Sequence, residues 1–247
     1  MFSGRRAVVT GASSGIGLAL CQRLAHLGYG VTMVARSEGI LAKNLDILSK
    51  SNGQHHQYTV VDLQNISGPG FLETENGKHL KSIFSDANVL VNCAGVTNHN
   101  VLSRLSTEAI TTTINLNLVA PILLSKMAIM PFLKTSRKTG ITPSILNISS
   151  MLSISGVAVA GTSPYAASKA GLLGFTQSLA AELGGKIRVN AVLPALVPET
   201  AMGKSGAKSL PTVSLDEVVH ACEKVLGDEE LNGRFMVADG NGYRSLN

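Results

Sequence analysis

Short apolar runs alternate along the chain with longer stretches of helical periodicity. AVVT (7–10), GVTMVAR (30–36), QYTVVDL (57–63), NVLVNCAG (88–95), SILNISS (144–150), KIRVNAVLP (186–194) and GRFMVADG (233–240) read as seven strands. Their near-continuous apolar character, rather than strict alternation, predicts strands buried on both faces. Helices are predicted between them, near 16–28, 38–50, 106–134, 164–183 and 214–226. This alternation predicts a single α/β domain over residues 1–247, a doubly wound parallel sheet of the Rossmann type with helices on both faces. Two segments read as loops: 64–77, rich in Gly, Asn and Glu, and 198–213, with two prolines, two glycines and two lysines. No linker, internal repeat or low-complexity tract interrupts the pattern.

Composition narrows the function classes. The 247 residues are 45% hydrophobic and 15% charged, with 25 glycines, which suits a packed domain with many tight turns and argues against disorder. The net charge of +5 fits an anionic ligand or an acidic partner. Nucleic-acid binding is not expected, because the cations are scattered and only four Tyr and six Phe could stack on bases. No apolar run reaches the roughly 18 residues of a membrane-spanning helix. Cys21, Cys93 and Cys222 are far apart and read as free thiols, and the six histidines show no metal-ligand spacing, so no metal is expected. His55 and His56 read as surface residues. The opening MFSGRRAVVTG enters a strand almost at once, so no cleavable targeting segment is expected.

The loop GASSGIG (11–17) follows the first strand and opens the first helix. Gly11 permits a tight turn, Gly15 lets the backbone approach a pyrophosphate, and Gly17 allows close helix packing at an anion-attracting helix N-terminus. Ser13 and Ser14 add hydroxyl donors. Where an acidic residue would bond a ribose 2′-hydroxyl, this chain has Arg36 and Ser37. An arginine there can pair with a 2′-phosphate, which points to NADPH. Asp62 ends the third strand, either as an adenine contact or as a turn cap.

TGASSGIG, NCAG (92–95), INLNLVAP (114–121), NISS (147–150) and YAASK (165–169), in that order, resemble the short-chain dehydrogenase/reductase family over nearly the whole chain. The run PSILNISSMLSISGVAVAGTSPYAASKAGL, and NCAGVT before a polar stretch, are similar more narrowly to the fungal mitochondrial 3-oxoacyl-[acyl carrier protein] reductases. The 15-residue step from Ser150 to Tyr165 is longer than is usual in the broad family and fits that branch, as does PALVPETAM (194–202).

The resemblance implies a catalytic set of Asn117, Ser150, Tyr165 and Lys169. Tyr165 and Lys169 lie one helical turn apart. A free phenol titrates near 10, and a nearby ammonium is expected to lower that value so that Tyr165 can act as general acid toward a ketone. The resemblance also has Lys169 bond the nicotinamide ribose, Ser150 polarise the carbonyl, and Asn117 hold a relay water. Ser149 and Ser153 are rivals for Ser150, and Asn115 for Asn117. Further cofactor contacts are implied for Ile16, Leu63, Asn92, Ala94, Gly95, Pro194, Val197 and Thr200. Cys93 reads as a small buried hydrophobe. Ala195 replaces the family's glycine after the proline, which leaves the local backbone open. A short substrate lid is implied from Thr200 to about Leu215. Lys134, Arg137 and Lys138 are expected at the rim of the site, either docking an acidic carrier protein or as solvated charges.

Three functions follow: NADPH-dependent reduction of 3-oxoacyl-[acyl carrier protein] in dissociated fatty-acid synthesis, reduction of a small ketone, sugar or polyol intermediate, or a non-catalytic cofactor-binding subunit of a mixed oligomer. The resemblance further implies a homotetramer, with a mixed oligomer left open, and a mitochondrial matrix location, with the cytoplasm as the alternative.

Overall fold

The computed structural model describes residues 4–154, 156–206 and 210–246. Seven parallel strands, β1 (Arg6–Thr10), β2 (Gly30–Ala35), β3 (Gln57–Val60), β4 (Val89–Asn92), β5 (Ser144–Ile148), β6 (Arg188–Pro194) and β7 (Phe235–Ala238), form one sheet with an antiparallel edge strand, β8 (Tyr243–Leu246). The order is β3-β2-β1-β4-β5-β6-β7-β8, so the winding reverses between β1 and β4. A sheet of this kind opens its ligand crevice at the carboxyl ends of those two strands.

The helices are α1 (Gly15–His26), α2 (Glu38–Asp46), α3 (Glu75–Ser82), α4 (Thr107–Ile114), α5 (Ala120–Thr139), α6 (Ser163–Leu183), α7 (Ala201–Lys204) and α8 (Leu215–Gly227). Leu20 and Leu24 of α1 pack with Val218, Val225 and Leu226 of α8 on one face of the sheet. Leu124 and Phe132 of α5 pack with Phe84, Leu179 and Leu183 on the other. Phe84 meets Phe132 edge to face with ring centroids 6.2 Å apart, a pairing worth about 0.5–1.5 kcal/mol beyond burial. Truncating Phe132 to alanine is expected to cost about 3–5 kcal/mol. Helix α8 starts where Ser214 Oγ accepts from Glu217 N at 3.2 Å and the Glu217 carboxylate accepts from Ser214 N at 3.1 Å. Helix α5 ends at Gly140, whose φ of 72° suits a left-handed cap.

Four elements depart from the sequence expectation, one of them α7, which lies inside the expected loop 198–213. The long helix is two helices joined by a π-helical turn, Asn115–Val119. The expected loop 64–77 gives way to one-turn 3₁₀ helices at Leu63–Asn65 and Phe71–Glu73 and then to α3. Helix α3 buries only Gly77 and Leu80, too sparse a stripe to register as periodicity. Gly77 is required there, because a β-carbon would strike the Phe71 carbonyl oxygen. Strand β8 is short and lies at the edge, so it lacks the continuous apolar run of the buried strands.

Thr107–Thr139 is long and apolar enough, by length and composition, to cross a membrane, although no single apolar run of that length was visible in the sequence. Here it serves as a core helix pair, with Leu116, Ala120, Leu124, Ala128 and Phe132 buried against the sheet.

His56 also departs from expectation. It is buried, with Nδ1 accepting from Val31 N at 3.2 Å and Nε2 bonded to Ser49 O at 2.8 Å. Burial pushes its pKa down, as suits a neutral ring that accepts at one nitrogen and donates at the other. His55 is exposed, as expected.

Candidate active site

A cleft of about 520 Å³ opens at the carboxyl edge of the sheet and reaches from β2 past the β1–β4 junction to β6. That volume is typical of a cofactor site. At the junction, Thr10 Oγ1 accepts from Cys93 N at 3.0 Å and from Ala94 N at 3.1 Å, which binds the end of β1 to the turn after β4. Thr10 was not singled out from sequence, although it directly precedes Gly11.

The glycine loop is built as its sequence implies. Gly11 and Gly15 take left-handed φ values of 68° and 56°. A β-carbon on Gly11 would lie 2.9 Å from the Ala94 main chain, and one on Gly17 would strike the Gly11 carbonyl oxygen. Ser14 precedes α1 without a side-chain capping bond, so the first-turn amides of α1 keep their capacity for an anion. Ser13, Ser14, Ile16 and the three loop glycines all line the cleft, as do Leu63, Ala94 and Gly95. This cradle fits the pyrophosphate of a dinucleotide.

The adenosine end is open. Arg36 and Ser37 are exposed, line the cleft and follow β2 directly. Ser37 makes no side-chain cap to α2, and among the described residues Arg36 has no ion pair or hydrogen bond. Asp62 lines the same end, while its Oδ1 accepts from Gln64 N at 3.1 Å. It is therefore both a turn cap and a cleft residue.

The other end is buried and internally bonded. Tyr165 is 9% exposed and Lys169 is 4% exposed, which places both beneath the cleft surface. Lys169 Nζ lies 5.9 Å from the centroid of the Tyr165 ring and donates to Ile148 O at 2.8 Å. Ser150 lies close enough to the Tyr165 phenol to draw its pKa down, and its hydroxyl accepts from Leu152 N at 3.2 Å, capping a one-turn 3₁₀ helix, Met151–Ser153. Ser149 points elsewhere: its hydroxyl donates to the Lys169 carbonyl oxygen at 2.9 Å. Ser153 donates to Ser150 O. Of the three serines, Ser150 alone meets the phenol.

The ionisation pattern corrects one expectation. Burial raises the Tyr165 pKa, opposed by the Ser150 hydrogen bond. Burial also drives Lys169 down to about 8, opposed by Cys93. The tyrosine was expected to be lowered by the lysine, but its net shift is upward, because desolvation is the largest influence on both groups and disfavours both charged forms. The ammonium is aimed at the Ile148 carbonyl and passes over the ring face. Cys93 lines the cleft half-buried, its thiol pushed up to about 12 by burial, in keeping with an inert side chain.

Asn117 sits in the π-helical turn, fully buried. Its Oδ1 accepts from Val96 N at 2.9 Å, and Nδ2 donates to Val96 O at 2.9 Å and to Ser168 Oγ at 3.1 Å. The side chain ties the turn after β4 to α6. A β-carbon on Gly95 would lie 3.2 Å from Asn117 Oδ1 and 3.6 Å from Lys169 Nζ, so that glycine keeps a gap open between the two groups. A π turn at such a point is a frequent mark of a functional site.

Pro194, Ala195, Val197 and Thr200 line the far wall. Thr200 Oγ1 donates to Val197 O at 2.9 Å and accepts from Gly203 N at 2.9 Å, starting α7. Ala195 N donates to Ala238 O at 2.8 Å, so the chain leaves β6 with sheet-like bonding and the missing glycine causes no break. Residues 207–209 of the expected lid lie outside the described residues.

Two expectations fail by position. Asn92 does not line the cleft; it is buried, with Nδ2 donating to Asn147 Oδ1 at 2.8 Å inside the sheet. A strand alternates its side chains between the two faces of the sheet, and Asn92 falls on the α5 face, with Nδ2 also 3.4 Å from Ser125 Oγ. Lys134, Arg137 and Lys138 do not rim this cleft. They occupy the last turns of α5, which runs back from the carboxyl edge and ends beside Ile141, whose side chain is 3.8 Å from where a β-carbon on Gly4 would stand, ahead of β1. His99, unassigned from sequence, does line the cleft. Among the described residues no cluster of His, Cys, Asp or Glu could hold a metal ion.

The family description short chain dehydrogenase matches residues 5–210. The chain belongs to this family. It is therefore an oxidoreductase by family. The chain is 36% identical over 205 residues to the 3-oxoacyl-[acyl-carrier-protein] reductase of Salmonella typhimurium, covering 83% of this chain and 78% of that one. It is 34% identical to the human 3-oxoacyl-[acyl-carrier-protein] reductase over 247 aligned positions, covering 94% and 95%. A short chain dehydrogenase from Burkholderia cenocepacia, solved in complex with NADP, superposes with a TM-score of 0.79 at 29% identity, covering 96% and 97%.

Proposed function

We propose that the protein reduces 3-oxoacyl-[acyl carrier protein] to the 3-hydroxyacyl form with NADPH, as part of a dissociated fatty-acid synthesis system. The observation that carries this reading is the convergence of Ser150, Tyr165 and Lys169 at one end of a cleft whose other end presents Arg36 and Ser37. The likeness to bacterial and human 3-oxoacyl-[acyl-carrier-protein] reductases supports the substrate class.

When bound, NADPH would supply a hydride for the carbonyl carbon. The glycine loop and the α1 amides would hold its pyrophosphate, Arg36 and Ser37 its 2′-phosphate, Asp62 its adenine, and Val197 and Thr200 its carboxamide. Ser150 donates to the ketone oxygen and orients it. Tyr165, kept protonated by burial, delivers its proton to that oxygen, so ketone, hydride and proton balance to a secondary alcohol and a phenolate. The Lys169 ammonium stabilises the phenolate until it is reprotonated. Asn117 holds the turn after β4 in place behind the lysine.

A second reading, a general reductase of bulky ketones, is favoured by the lining of Leu152, Val159, Leu196, Met202 and Leu210, which selects for apolar bulk without regard to a carrier. Among the cleft-lining residues Asp62 is the one carboxylate, and it lies at the adenosine end, so neutral or anionic ketones fit better than cationic ones. We place the protein in the mitochondrial matrix on the sequence likeness alone. We also assign a homotetramer assembled through α5 and α6, where Met130 is 72% exposed and the outer face of α6 carries Ala167, Ala170, Gly171 and Gly174 ahead of the polar Gln177, Ser178 and Glu182.

The deciding experiment compares acetoacetyl-acyl carrier protein with ethyl acetoacetate, with NADPH and NADH in parallel, across a salt series. A strong preference for the carrier-linked substrate that fades with salt supports the first reading. Equal turnover of the free ester, flat in salt, supports the second. No turnover of either would leave a non-catalytic cofactor-binding subunit.

A further inference from the structure

Lys169 is gripped at both ends by consecutive residues of one strand terminus. Its Nζ donates to the carbonyl of Ile148 at 2.8 Å. Its main-chain carbonyl accepts the Ser149 hydroxyl at 2.9 Å. Ser149 is itself fixed, being 3% exposed with its main-chain N–H bonded to Val192 O of β6 at 2.8 Å. Its Oγ also stands 3.2 Å from Ser153 Oγ, and Ser153 donates to the carbonyl of Ser150. One buried hydroxyl therefore touches both the helical turn that carries Lys169 and the turn that carries Ser150.

We propose that Ser149 is a positioning residue, clamping the Lys169 turn of α6 to the end of β5 and thereby setting the distance between the lysine, Tyr165 and Ser150. The proposal rests on the assignment of Tyr165 and Lys169 as the catalytic pair. Ser149 borders the cleft, but its hydroxyl is turned to the Lys169 carbonyl and not to the phenol. A side-chain bond to a carbonyl inside a helix adds a second acceptor contact to a group the helix already uses, so it fixes the lateral position of that turn and is not needed for helix formation. Sub-ångström placement of a lysine beside a phenol matters because proton transfer and charge stabilisation fall off steeply with misalignment.

The test compares Ser149→Ala and Ser149→Thr, with Ser153→Ala as a control that removes the contacts to Ser149 Oγ and to Ser150 O but keeps the Ser149 bond to the Lys169 carbonyl. Ethyl acetoacetate, or the reverse oxidation of a secondary alcohol, is used so that the result does not depend on the carrier. Ser149→Ala is expected to lower kcat roughly tenfold while KM for the ketone stays near wild type. It is also expected to move the alkaline limb of the kcat profile upward from about 8, because a loosened lysine is better hydrated; Cys93 and Tyr165 are the titratable groups facing it and are unchanged. Ser149→Thr keeps the hydroxyl and is expected to restore both. Ser153→Ala is expected to leave the limb in place. Wild-type kcat and limb in folded Ser149→Ala, a limb that moves equally in Ser153→Ala, or a loss in Ser149→Ala that tracks its unfolding with no rescue by threonine, each overturns the proposal. A wild type that turns over no ketone or alcohol overturns the functional reading and this proposal together, whereas an active wild type with an indifferent Ser149→Ala overturns this proposal alone.

Discussion

At the head of the cleft, Ser150, Tyr165 and Lys169 are buried against their own chain; at the adenosine end, Arg36 and Ser37 are exposed and their side chains make no hydrogen bond or ion pair among the described residues. The two ends solve different problems. The head must hold reacting groups in one geometry with shifted ionisation, and burial achieves both, since desolvation moves the phenol and the ammonium in opposite directions. The tail must only capture a charged group, and an unengaged guanidinium can do so without breaking a prior bond. Head substitutions should therefore appear in kcat and tail substitutions in cofactor KM.

The largest expected effect is at the head. Tyr165→Phe removes the proton donor and leaves the ring packing, so kcat should fall on the order of 10³-fold while NADPH affinity, measured by fluorescence titration, changes about threefold or less. A comparable loss of binding would mean that head and tail are not separable. Next comes Arg36→Ala, expected to raise the KM for NADPH by roughly 10- to 100-fold, the scale of one or two charge-assisted hydrogen bonds, with saturated kcat unchanged and NADH kinetics indifferent. An equal effect on both cofactors would remove the 2′-phosphate role.

The pH profile sharpens the head further. Lys169 is a base held below its ordinary value, at about 8, so its ammonium is present below that pH and lost above it. Reduction generates a phenolate that the ammonium stabilises. The kcat for reduction should therefore be flat from pH 6 to 7.5 and fall about tenfold per unit above about 8, and Lys169→Met should abolish that limb. A limb that persists in Lys169→Met would assign it to another group.

The fold and the glycine loop were legible because each depends on local pattern: continuous apolar strands, and glycines where a β-carbon would strike the Gly11 carbonyl or the Ala94 backbone. The head was legible as a set of residue types, but not as a set of bonds. Ser149 and Ser150 are adjacent and chemically identical, and only the direction of the strand end decides which meets the phenol. Asn92 lies one residue before cleft-lining Cys93 yet faces Asn147 inside the sheet. His56 read as a surface residue, but a backbone N–H and a carbonyl meet its two ring nitrogens inside the fold. In each case the missing information is a long-range partner, which spacing along the chain does not encode.

The smallest expected effect tests position alone. Lys134, Arg137 and Lys138 looked like a rim because they come shortly before the strand that carries Ser150. A helix between parallel strands must run antiparallel to them, so its last turn lies at the opposite edge of the sheet from the carboxyl ends. The 20 residues of α5 span about 30 Å at 1.5 Å per residue, several Debye lengths at physiological salt. Replacing all three cations with alanine should therefore change kcat/KM for ethyl acetoacetate by less than about twofold, measured at 0.15 M salt. A loss with this free ester would mean that the trio acts on the cleft through the fold or through a neighbouring copy, and the separation between the sheet's two edges would no longer explain which charges matter.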